Sequence, residues 1–459
     1  MSGREFFTTR TVAEALAGFR PARRTGVERV SLATALHRVP AEIVRARAAL
    51  PGFARSTVDG YAVRASDTYG ASEGLPTYLE LVGAVRMGRA PEVSVPPGGC
   101  VAIPTGAVLP GGADAVVMVE YTAASMPGMI EVTRPVAPGG GLVQADEDVA
   151  ADGTLVPAGR PLRAPDLGLL AAAGVTEVVV HARPRVAIVS TGDEVVPPST
   201  QELAPGQVRD ATASALAGLV TDAGGEPVLA GIVPDDAGAL ETTLAAVLRD
   251  ADLVVISAGS SVGARDETAG AVAALGKIWC HGLAVKPGKP TLLAECSAPD
   301  GAAVPVIGLP GNPLSALVVF RLVGVPLVWR LGGCPVPPPE PTTRARLSRD
   351  LASAAGRLDV VQVAIRDRVA IRDQVDIRDR AAQPDRAAQP DRLTQPDRAA
   401  QPDRLTPPDK AALPEQVAEP IFGPSALLSV LTRADGCIVV PEPATGLDAG
   451  SDVDVTLYR

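Results

Sequence analysis

Aromatic residues are scarce: Phe, Tyr and Trp together make up 3% of the 459-residue chain. Recognition of single strands by base stacking is therefore a poor reading, and a net charge of -10 argues against binding a phosphate backbone. Histidine is limited to His37, His181 and His281, at spacings that do not suit zinc. No Ser/His/Asp set stands out, so hydrolysis by a side-chain nucleophile is not expected. The five cysteines, Cys100, Cys280, Cys296, Cys334 and Cys437, stand singly without a CxxC pair, which points to reduced packing or surface thiols rather than a disulfide frame. An uninterrupted apolar run of about 18 residues is also missing. The nearest candidate, Leu314 to Leu331, contains Arg321, Gly324, Pro326 and Arg330 and reads as a buried or half-buried helix. Residues Met1 to Arg10 are polar and charged, without the apolar core of a secretory leader. These absences lead to the expectation of a cytoplasmic protein with neither membrane nor nucleic acid as partner.

What is present is globular. Hydrophobic residues make up 46%, while 44 prolines and 46 glycines imply many turns and short elements. The length suits about three domains of roughly 100 to 200 residues. Residues 1–50 and 145–182 mix helical pieces with strand-like runs and are assigned to one elongated N-terminal domain. Between them, residues 51–144 alternate short Val/Ile/Leu runs with Gly-Gly and Pro-Gly punctuation, as expected of an inserted small β module. Residues 183–333 repeat strand then helix, the pattern of a doubly wound α/β domain. Residues 334–459 follow a proline linker and read as a C-terminal β module. A drifting hexad repeat over 363–416 interrupts it. With balanced Asp and Arg, recurrent proline and few large apolar residues, the hexads are expected to be a disordered insertion, the alternative being a charged docking tail.

In a doubly wound sheet, ligands bind in the loops after the strands. Four such loops here are polar or glycine-rich: Ser190-Thr191-Gly192-Asp193-Glu194, Pro234-Asp235-Asp236, Ser257 to Gly263, and Leu309-Pro310-Gly311-Asn312-Pro313. Ser257 to Gly263 precedes a helical pattern, so its backbone N–H groups could hold a phosphate, although a plain turn has the same composition. Lys286-Pro287-Gly288-Lys289-Pro290 is sharper, because two prolines hold two ammonium groups in a stiff segment that suits an oxyanion. A solvated turn is the plainer reading. Asp59, Glu194, Asp235 and Asp266 are each compatible with a cap or turn, but carboxylates beside a phosphate ligand commonly share a magnesium ion.

Six strings occur in order: Ser56 to Val63 (STVDGYAV), Ile103 to Ala107 (IPTGA), Ala115 to Met118 (AVVM), Ser190 to Glu194 (STGDE), Lys286 to Pro290 (KPGKP) and Leu309 to Ser315 (LPGNPLS). Together they resemble the MoeA and gephyrin E-domain family of molybdopterin molybdenumtransferases, over nearly the whole chain apart from the hexads. The resemblance implies an elongated homodimer whose site is shared, with Asp59 and Thr105 reaching across from the partner subunit. It implies insertion of molybdenum from molybdate into adenylylated molybdopterin, with release of AMP and transient contact with the molybdopterin adenylyltransferase. Asp59, Thr105, Glu194, Asp235 and Asp266 would be catalytic, the last three holding Mg2+. Ser257, Gly259, Ser261, Gly263, Lys286, Lys289, Pro290, Gly311, Asn312, Ser315 and Ser425 would bind the pterin phosphate and molybdate. The chain departs from the family where an arginine usually helps hold molybdate, which here is Gln362. It also lacks arginine in Val143 to Asp148, has Ala258-Gly259 for a glycine pair, and has Thr212 for an asparagine. These departures leave open a catalytically weak or inactive paralogue that binds molybdopterin as carrier or scaffold.

Overall fold

The computed structural model describes the backbone of residues 9–257, 262–367 and 416–458, and the side chains of these residues except 262–266. The chain forms two compact units, Val27–His181, and Met1–Gly26 with Ala182–Arg459.

Within Val27–His181, Val27–Ser31 pairs antiparallel with Glu177–His181, and Val44–Arg45 with Thr154–Val156. The helix Ala164–Ala172 begins with Pro165, whose missing N–H costs nothing there, and the Asp166 carboxylate takes the Arg163 N–H at 2.8 Å. Arg160 grips the same carboxylate at 2.6 and 2.7 Å and holds it far below the usual acid range. The module inserted between these pieces is a six-stranded mixed sheet, ordered 115–118, 60–63, 99–103, 77–84, 129–132, 122–126. Side chains alternate across a strand, so Ala115 and Val117 pack on one face with Cys100, and Val116 packs on the other with Val101 and Ile103. Both faces are covered, which accounts for the unbroken apolar runs.

The α/β sheet of the other unit is ordered 226–233, 185–191, 253–257, 303–309, 292–297, 276–281. Its first four strands are parallel and the last two antiparallel. Val186, Ile188, Leu253 and Val255 face the helices Ala211–Asp222 and Pro313–Val319, while Ala187, Val189, Val254 and Ile256 face Ala237–Val247 and Val262–Leu275. The helix Val12–Gly18 packs on this same core through Val12, Ala15 and Phe19, with Phe19 tilted against Trp279. Residues 1–50 were expected to form one domain with 145–182; by packing, the compact units divide after Gly26, because the apolar face of that helix is buried by the α/β unit. The helical run Pro313–Leu331, long and apolar enough to cross a membrane, lies largely inside this core, where Phe320 and Val328 are fully buried.

The C-terminal strands 342–347, 358–367, 416–420, 436–440 and 452–457 close into a small barrel, with Val363, Ala418, Ile438 and Val455 in its core. The border of the hexad tract shifts accordingly. Val363 to Asp367 complete one strand and Gln416 opens the next, Asp367 pairing opposite Gln416; the tract's remainder, 368–415, lies outside the described residues. All five cysteines are free and buried, and burial pushes the Cys100, Cys280 and Cys296 thiols up to about 11.

Candidate active site

The carboxyl ends of the parallel strands lie side by side, with Thr191 opposite Val233, Ser190 opposite Ser257, and Ser257 opposite Leu309. The strands 185–191 and 253–257 are neighbours whose connections leave in opposite directions, which is the place where such sheets open a crevice. Ser190 donates to Asp210 at 2.6 Å, and Asp210 caps the helix Ala211–Asp222 by accepting from the Ala213 N–H at 3.0 Å. In the next loop the Asp235 N–H donates to the Asp193 carboxylate at 3.2 Å.

Asp235 is under pressure here. Burial raises its pKa, and the carboxylates of Glu194 and Asp193 raise it further. Its Oδ1 is buried without a hydrogen-bond partner. A buried, unsatisfied carboxylate oxygen among like charges fits a hard divalent cation, which takes oxygen ligands and cancels the repulsion. Among the described residues no group of three His, Cys, Asp or Glu could hold a metal by itself, so the remaining ligands would come from substrate, water or the following loop. In that loop Ser257 is buried at the strand end. Gly259 and Ser261 lie outside the described residues, as does the side chain of Asp266 in the helix Val262–Leu275, which also carries Gly263.

A second region gathers most of the predicted oxyanion ligands. Val285–Lys286 is a short strand that pairs in parallel with Leu358–Asp359, docking the lysine loop on the barrel. The Lys289 carbonyl accepts from both the Leu283 and Thr291 N–H groups at 2.9 Å, and the Thr291 hydroxyl donates to the Gly288 carbonyl at 2.7 Å. Gly288 has φ +124 and sits where a side chain would collide with Val319, so only glycine fits this bend. The loop borders a cavity of about 810 Å³ lined by Lys286, Lys289, Pro290, Ser315, Ser425 and Gln362 among others. Asn312 lies behind it, its side-chain amide donating to the Ser425 hydroxyl at 2.9 Å, while the Ser425 carbonyl accepts from the Leu314 N–H at the helix start. Gly311 precedes that helix and does not line the cavity.

The cavity also holds a cation that the sequence reading passed over. Arg357 lines it and binds the buried Asp359 through two nitrogens, at 2.8 and 3.3 Å. Asp359 also faces Lys286 at 3.9 Å. Three cationic side chains, Lys286, Lys289 and Arg357, thus line the cavity with one carboxylate. Gln362 therefore shares this wall with an arginine. The one local signal was that Arg357 stands two residues before Asp359, just ahead of the strand Leu358–Asp367, within reach of a bidentate pair.

Asp59 and Thr105 belong to the other unit. Asp59 precedes the strand 60–63 and Thr105 follows 99–103; these strands pair antiparallel with Gly60 opposite Ile103, which places the two residues together at one end. The Thr105 N–H donates to Asp59 Oδ1 at 2.8 Å, and both residues are exposed. Gly60 is required because a side chain there would run into the Val117 carbonyl of the neighbouring strand. Ser56 and Gly106 brace the turn, the Gly106 N–H donating to the Ser56 carbonyl at 2.8 Å.

Comparison with known proteins shows the family. Residues 10–174 match the MoeA N-terminal region (domain I and II), 187–330 the probable molybdopterin binding domain, and 408–458 the MoeA C-terminal region (domain IV). The molybdopterin molybdenumtransferase of Nostoc sp. is 39% identical over 67% of this chain and 70% of its own length. That of Haemophilus influenzae is 32% identical over 73% and 80%. The crystal structure of a molybdopterin biosynthesis MoeA protein from Pyrococcus horikosii superimposes with a TM-score of 0.72 at 32% identity, covering 98% of this chain and all of the other. By sequence and by fold, the chain belongs to the MoeA family of molybdopterin molybdenumtransferases.

Proposed function

We propose that this enzyme inserts molybdenum from molybdate into adenylylated molybdopterin in the cytoplasm, the last step of molybdenum cofactor biosynthesis, and releases AMP. One observation supports it above the others: three cations and the hydroxyls of Ser315 and Ser425 line a single cavity of about 810 Å³. A tetrahedral dianion needs that combination of charge and short donors. Lys286 and Lys289, with Ser315 and Ser425, hold molybdate close to the pterin dithiolene. Ser257, Gly259, Ser261 and Gly263 hold the pterin phosphate, with Gly311 and Asn312 shaping the neighbouring loop and Pro290 the lysine turn. Asp235 and Glu194, joined by Asp266, would hold Mg2+, which supplies charge neutralisation at the pyrophosphate whose cleavage frees AMP. Asp59 and Thr105 act from the partner subunit of a homodimer. The rate then comes from positioning and charge neutralisation rather than from a covalent intermediate. Transient contact with the molybdopterin adenylyltransferase would deliver the substrate.

A catalytically weak or inactive paralogue, acting as carrier or scaffold, is favoured by Gln362 and the missing arginines in Val143 to Asp148, and Arg357 in the cavity beside Gln362 weighs against it. The test is release of AMP from adenylylated molybdopterin with and without molybdate. Molybdate-dependent release supports the transferase; tight binding of the nucleotide without release supports the carrier.

A further inference from the structure

Gln362 occupies the strand Leu358–Asp367 and is 3% exposed. Its two terminal atoms have different surroundings. Oε1 accepts a short hydrogen bond from the Tyr458 hydroxyl, whereas Nε2 is buried without a partner. Yet Gln362 lines the lysine cavity, so the unsatisfied donor belongs to a residue of the cavity wall. A buried amide left half-bonded in a protein is costly unless a ligand completes it.

Tyr458 is itself held from several sides. Cys437, which pairs opposite Gln362 on the adjacent strand, lies beside the same hydroxyl. The Arg321 guanidinium lies 4.3 Å from the ring centroid, fixed by its bond to the Leu457 carbonyl at 2.9 Å and its ion pair with Glu340 at 2.9 Å. Burial raises the Tyr458 pKa, so the hydroxyl remains a donor at any physiological pH. A donor that cannot be titrated away selects the carbonyl end of the amide, since the NH2 end has no lone pair to offer.

We propose that Tyr458 is a positioning residue: it locks the Gln362 amide with its NH2 group turned to the oxyanion cavity. The proposal rests on reading the cavity as an oxyanion site. Without the lock the amide is free to turn over, and a carbonyl oxygen presented to a dianion repels it.

The experiment is calorimetry of the full chain with molybdate alone, with sulfate as a second probe. Tyr458→Phe, which keeps the ring under Arg321, should weaken molybdate about threefold to tenfold. The same change in a Gln362→Ala background should add nothing, because the two residues act as one unit. Unchanged affinity in Tyr458→Phe, or an equal loss in both backgrounds, overturns the lock. If Tyr458→Phe does not fold, Gln362→Glu decides: its carboxylate accepts the same Tyr458 hydrogen bond but offers the anion no donor. It should bind more than about tenfold more weakly, and wild-type affinity overturns the proposal. Lys289→Ala is the control for the underlying reading. If it binds molybdate like wild type, the oxyanion site itself is wrong, and the proposal falls with it.

Discussion

The carboxyl edge of the parallel sheet and the lysine cavity lie in one compact unit, yet their chemistry is opposite. At the sheet edge Asp193, Glu194 and Asp235 crowd together, and Asp235 is pushed up by burial and by its neighbours' charge. In the cavity three cations share one carboxylate. Each region carries uncompensated charge of one sign, the protein alone satisfies neither, and each is suited to a ligand of the opposite sign. A substrate with a pyrophosphate and a co-substrate dianion need both kinds of site, the first through a divalent cation and the second directly. Charge imbalance is therefore more informative here than any single residue.

The sharpest way to break this picture is to disable the two halves of the site on different chains. Asp59→Asn and Lys289→Ala should each lower AMP release by about a hundredfold or more. An equal mixture of the two variants should regain about a quarter of wild-type activity, because one of two sites is rebuilt in the half of the dimers that are mixed. Mixed dimers that form and stay inactive would refute the shared site. A smaller effect sharpens the basic half: Gln362→Arg should tighten molybdate about fivefold, since a hydrogen bond from a charged group is worth more than one from an amide.

The acidic half makes a prediction with a definite sign. A carboxyl whose folded pKa lies above its unfolded value opposes folding once ionised; stability falls as pH rises from the unfolded value through the folded one. In chelator at neutral pH, Asp235→Asn should thus melt about a degree or two above wild type. Magnesium should raise the melting temperature of wild type and much less that of Asp235→Asn. Equal responses would remove the ion from Asp235. The smallest effect is expected from deleting 368–415. Asp367 and Gln416 face each other across a strand pair, so a two-residue turn can join them. Loop length alters closure entropy by only about 0.6 kcal/mol per doubling, and the melting temperature should stay within about two degrees. A large drop would give the hexads a structural role.

What could be read from the sequence follows how local its cause is. The strand-end loops were legible because Val186 to Val189 and Leu253 to Ile256 are continuous apolar runs ending in polar turns, the mark of strands covered on both faces. The stiff lysine turn was legible from its prolines and glycine. The packing of Val12, Ala15 and Phe19 on the α/β core was not, because a short amphipathic helix does not say which unit buries it. Arg357 was overlooked for the same reason. Only the pairing of Lys286 with Asp359 puts it in the cavity wall, and that register joins residues far apart in the chain. The hexad border was misplaced because Val363 to Asp367 share the repeat's letters, while their burial comes from strands on either side.

The central claim is that the lysine cavity holds molybdate rather than the pterin nucleotide. The most direct measurement is the molybdate concentration dependence of AMP release in wild type and Lys289→Ala. Loss of one charged hydrogen bond predicts a half-saturating molybdate concentration raised about tenfold to a hundredfold, with nucleotide affinity nearly unchanged. An unaltered molybdate dependence together with abolished nucleotide binding would contradict the assignment and give the cavity to the other anion.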